Sequence, residues 1–122
     1  MKRIFISILA LSFAVTAPAM AENRDALEGD MVTHAKAASA ATTSAVTAIN
    51  AGDTATGCTA MRTAVGEITV AEALVSVDGP LIDADTRLDS DARTAQQGQL
   101  TDLATSFANS HSRLDALIAK YC

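Results

Sequence analysis

The sequence predicts an all-α fold, an up-down-up three-helix bundle closed by one disulfide. Three observations lead there. Beyond its first 21 residues the chain is rich in alanine, the strongest helix former. Apolar residues recur three and four positions apart over long stretches, the period of a helix face. The two cysteines, Cys58 and Cys122, are placed so that only an odd number of helices brings them together.

The first 21 residues read as a cleavable export signal. Lys2 and Arg3 form a positive start, and Ile4 to Val15 is an apolar run. Pro18 breaks the run, and Ala19-Met20-Ala21 is a cleavage motif before Glu22. The run is shorter than the roughly 20 residues a spanning helix needs, and no cysteine follows it to accept a lipid. The expected product is one domain, residues 22–122, located in the periplasm and not attached to the membrane after cleavage.

Helix one is expected from about Arg24 to Ala51. Asp25, Glu28 and Asp30 suit the positive end of its dipole. Leu27, Met31, Ala35, Ala38, Thr42, Ala45 and Ile49 form its apolar stripe. Gly52 suits the position just past a helix end, and Asp53 suits the cap of the next helix. Helix two then runs to about Val77 on Cys58, Met61, Val65, Ile68, Ala71 and Val75. Asp78-Gly79-Pro80 reads as the second turn. Helix three is expected over about 82–120, carried by Leu88, Leu100, Leu103, Phe107, Leu114, Leu117 and Tyr121. Gly98 is a soft point, and a break there would make four helices.

The cysteines decide between three and four. In an oxidising compartment paired cysteines usually form disulfides, and an intermolecular bridge is the alternative to the internal Cys58–Cys122 one. The spacing fits neither a redox C-x-x-C motif nor a zinc site. Cys58 lies near the end of the bundle where helix one finishes. A third helix finishes at that same end, so Cys122 arrives beside Cys58. A fourth helix would finish at the opposite end, about 37 Å away for a helix of about 25 residues.

Composition excludes several functions. Without Lys2 and Arg3 the chain carries 7 basic and 14 acidic residues, a net charge of −7. That surface repels nucleic acid and anionic lipid. Phe107 and Tyr121 are its only aromatics, too few for base stacking. Leu, Ile, Val and Phe supply 19 of its residues and alanine 21, so the core is thin and gains from a covalent staple.

Candidate chemistry is sparse. Met31 and His34 on helix one and His111 on helix three are the residues that could ligate haem iron or another metal, as bundles do in some proteins. "ALEGDM" around Met31 resembles the opening of soluble four-helix b-type cytochromes, which implies Met and His axial ligands. The pattern departs at His111, about three turns before the chain end, and three-helix topology sets Met31 and His111 at different heights. Asp83, Asp85, Asp89 and Asp91 miss the calcium-loop pattern at Arg87 and Leu88. They suit capping of helix three by Asp83, Asp85 or Thr86, with Arg87 and Arg93 pairing to Asp83, Asp89 or Asp91. Glu67 and Glu72 lie five apart and do not face each other, and Ser110-His111-Ser112 point apart on a helix. No nucleophile arrangement or phosphate loop is present. The expectation is a non-enzymatic structural or interaction protein without a cofactor, its alanine faces suited to a protein partner or a homo-oligomer. The alternative is a haem- or metal-binding bundle.

"AGDTATGCTAMR", with Gly52-Asp53, Cys58 and Arg62, resembles a pattern in small uncharacterised secreted helical proteins of Gram-negative bacteria, which also tend to carry a second cysteine near the C-terminus. The resemblance implies architecture and compartment, and no activity.

Overall fold

The computed structural model describes residues 22–122, with side chains from Arg24 onward. The export signal expected over residues 1–21 lies outside them. Three helices follow one another: α1 Glu22–Asn50, α2 Thr54–Ala84 and α3 Ser90–Tyr121. They form the expected bundle. α2 packs against both neighbours, and α1 and α3 do not approach each other backbone to backbone.

The α1–α2 turn forms where the sequence places it. Gly52 adopts φ +85°, a conformation glycine reaches without a Cβ penalty. The Asp53 amide reaches back to the Ala48 carbonyl at 2.9 Å, and the Gly52 amide to Ile49 at 3.0 Å. This pair of bonds satisfies carbonyls that a helix end leaves open. Asp53 then caps α2 by accepting from the Thr56 amide at 3.1 Å and the Thr56 hydroxyl at 2.7 Å, bonds that hold its carboxyl below its ordinary pKa.

The second turn differs from expectation. Asp78-Gly79-Pro80 is not a turn, because α2 continues through Pro80 to Ala84. Proline removes one helical hydrogen bond and crowds the preceding turn. That local cost is offset by the burial of Ile82 and by the ion pair that Asp78 makes with Arg24. Asp78 and Ile82 are each 1% exposed and continue the inward row of Ala71 and Val75. Gln97 braces the segment from α3, donating to the Gly79 carbonyl and to Asp83, both at 2.9 Å.

The real turn lies between Ala84 and Ser90. Asp85 closes α2, its amide bonding the Ile82 carbonyl. Leu88 is buried beneath the turn. Asp89 caps α3 and accepts from the Ala92 amide at 2.7 Å. The cap is therefore Asp89, not Asp83, Asp85 or Thr86. Past Gly98 α3 runs unbroken to Tyr121.

The core follows the predicted stripes. Ala35, Ala38 and Ala45 of α1 are buried together with Ala64 and Ala71 of α2, and small side chains let these two backbones approach closely. Met31, Met61, Ile68, Leu100, Phe107 and Leu114 supply the bulk. Phe107 is fully buried, a transfer worth about 2–3 kcal/mol. The Cys58–Cys122 disulfide forms, with Cα atoms 5.9 Å apart. It joins the start of α2 to the end of α3.

Candidate functional site

The structure gives each predicted ligand residue its own surroundings. Met31 lies in the core, 2% exposed. His34 sits between α1 and α2, where its Nδ1 meets Glu67. His111 sits between α2 and α3, its Nδ1 2.5 Å from Glu72 Oε1 and its Nε2 3.6 Å from Asp115. Glu67 and Glu72 face different neighbours because five residues turn a helix by about 140°. The middle of α2 therefore carries one His–Glu pair on each flank. All four side chains are about one-third exposed, so solvent screens these pairs and leaves them little net energy. Among the described residues, no three His, Cys, Asp or Glu side chains gather in a way that could hold a metal ion. None of the helices is long and apolar enough to cross a membrane.

The densest polar cluster lies at the pole opposite the disulfide, around Arg24. This side chain is 1% exposed. Its Nη1 donates to Asp85 Oδ2 at 2.9 Å, and its Nη2 to Gln96 Oε1 at 2.6 Å and Glu28 Oε1 at 3.2 Å. Its Nε lies 3.5 Å from Asp78 Oδ1, an ion pair without a hydrogen bond. One guanidinium thus joins α1, the end of α2, the second turn and α3. A buried charge is tolerable only when paired in this way.

Asp85 is the shared partner. Its carboxylate also accepts from Arg87, at 3.1 Å from Nε and 3.2 Å from Nη2, and from the Arg87 amide at 3.1 Å. The Arg87 side-chain bonds, with help from the Arg87 amide and Arg24, hold the Asp85 carboxyl well below the usual carboxylate range. The same bonds push Arg87 upward. Arg93 donates to the backbone carbonyls of Asp85 and Leu88, at 3.3 and 3.1 Å. So Arg87 pairs with Asp85, and Arg93 with backbone, rather than with Asp83, Asp89 or Asp91. Glu28 behaves oppositely to Asp85. Burial, then a hydrogen bond to Asp78 and the Asp78 charge, push it up to about 7 against the opposing pull of Arg24.

Sequence patterns single out Asp85, Arg87 and Arg93 but do not bring them together around Arg24. The turn expected at Asp78-Gly79-Pro80 leaves Asp78 outside this cluster. The signal was present, since Ala71, Val75, Asp78 and Ile82 keep a four-three-four spacing that places Asp78 inside. Nothing local marks Arg24, whose partners lie up to 72 residues away.

Comparison of the chain with family models, curated proteins and solved structures finds no match.

Proposed function

We propose that this chain is a non-enzymatic helical structural or interaction protein of the periplasm, acting through its outer helix faces. The observation that carries the reading is on α2. Its inward side chains pack or pair with α1 and α3, yet Val70 and Val77 stand 42% and 52% exposed. Seven residues apart, they lie on one side of the helix. The expected export signal and the resemblance around Gly52–Arg62 support the compartment. The Cys58–Cys122 staple suits an oxidising one.

The test is crosslinking in intact cells, combined with light scattering on the purified chain. The native chain is expected to crosslink to a protein partner or to itself. A V70K/V77K variant should lose those products while keeping its melting temperature. A chain that stays monomeric and crosslinks to nothing removes the interaction reading. A stoichiometric Soret band in protein purified from the periplasm would replace it with the haem-binding alternative.

A further inference from the structure

The Arg24 cluster contains an imbalance. Three carboxyls, Glu28, Asp78 and Asp85, surround Arg24, and Asp85 is additionally held by Arg87. The Glu28 side chain is 12% exposed and that of Asp78 is 1% exposed. With both ionised, Glu28 Oε2 and Asp78 Oδ1 are buried oxygens without a hydrogen-bond donor. A buried acceptor left open is costly, and two adjacent buried carboxylates repel. One hydrogen between them removes both problems at once.

We propose that Glu28 and Asp78 share a single proton, forming a pH-released latch between the start of α1 and the last turns of α2. Every neighbouring element contributes to its setting. Arg24 faces Glu28 from α1, and Asp78 faces it from α2. Asp85 of the turn is linked to it through Arg24, and α3 contributes the uncharged Gln96. Arg87 bonds the Asp85 carboxylate and Arg93 its backbone carbonyl, with Arg87 also sensing Asp25. Arg24 alone is therefore the cation in contact with both Glu28 and Asp78. Protonated, Glu28 donates to Asp78, and Arg24 is left balanced between Asp78 and Asp85. Deprotonated, the pair places two negative charges in a buried space with one guanidinium to share.

The sign follows from linkage. Glu28 rises from an ordinary 4.5 to about 7 on folding. The stabilisation is complete below about 4.5 and is lost as pH rises through about 7. This latch stands apart from the interaction reading, since it concerns the opposite pole from the disulfide and needs no partner.

The experiment is carbon-detected NMR titration of the Glu28 and Asp78 carboxyls in the oxidised chain, alongside urea denaturation from pH 5 to 8.5. A Glu28 midpoint near 7 is expected. The unfolding constant should rise about a hundredfold across that range. Glu28→Gln keeps a donor toward Asp78 and should flatten the pH dependence. Asp78→Asn should return Glu28 toward the ordinary carboxylate range. If Glu28 titrates near 4.5 in the native chain, a bridging water or ion fills the gap and the shared proton is overturned. A native chain with constant stability from pH 5 to 8.5 overturns the latch. The native titration decides the matter even where a variant fails to fold.

Discussion

Replacing Cys122 with serine tests the bundle's covalent tie most directly. Cys58 and Cys122 are 64 positions apart, so the reduced unfolded chain regains the freedom of a long loop. The chain-entropy relation gives about 4 kcal/mol for a loop of this length. A domain of about 100 residues loses roughly 4–8 °C of melting temperature per kcal/mol, which makes the expected fall about 20 °C. The native side of the balance changes little. Cys122 is exposed at the C-cap of α3, and its amide still bonds the Ile118 carbonyl at 2.8 Å. The assay is thermal melting by circular dichroism of the native chain, the variant and the native chain in reductant. The last two should melt together, well below the first, and retain their helix content at low temperature. The variant should also expose one free thiol at Cys58. A fall of less than about 5 °C would mean that the last turn of α3 frays whether tied or not, and the topological weight given to this bond would be wrong.

Other substitutions probe the packing and the charged pole. Phe107→Ala removes a fully buried ring and should cost about 3–5 kcal/mol in urea denaturation; a cost below about 1 kcal/mol would show that Phe107 is not central. Gly57→Ala places a Cβ 2.4 Å from Ile49 Cγ1 and 3.3 Å from the Ala45 carbonyl. It should lower stability by about 1 kcal/mol despite the helix-propensity gain. Gly66→Ala meets nothing within 4 Å and should raise stability by up to about 1 kcal/mol; the two variants moving in the same direction would refute the close α1–α2 approach. Asp85 lies below its unfolded value of 3.8, so its contribution is present above about pH 4 and lost as pH falls further. Urea midpoints measured from pH 5 to 2 should drop in the native chain and drop less in Asp85→Asn.

The parts of this fold that the sequence reveals are those governed by local rules. Gly52-Asp53 forms its turn because a positive φ and a side-chain cap are properties of those two residues. Most of the stripes from Met31 to Ala45 and from Cys58 to Val75 is buried, with Thr42 and Val65 half-buried, because helical spacing alone puts these residues on one side. The disulfide is legible because helix length and parity are simple geometry. Pro80 misleads because its local penalty competes with a tertiary gain, the burial of Ile82 and the pairing of Asp78 with Arg24, whose size depends on partners far along the chain. The Arg24 cluster fails to appear for the same reason. A charged residue two positions into a helix looks like surface until Asp78, Asp85 and Gln96 are brought around it. Where the structure places Met31, His34 and His111 follows from topology, and their partners Glu67 and Glu72 become visible only once the helices are aligned.

The disulfide also alters how the chain bears a load. Force applied between Glu22 and Cys122 does not travel along the whole polypeptide, because the Cys58–Cys122 bond short-circuits everything between those residues. Only the segment from Glu22 to Cys58, about 37 residues, can be drawn out, to roughly 130 Å. The rest of α2 and all of α3 lie inside a covalent loop that carries no tension. Pulled between Glu22 and Cys122, the bundle is a short extensible lead attached to a closed ring. An unfoldase hauling on the first residues of α1 would strip that helix away and then meet a loop of two strands that it must either reduce or thread side by side.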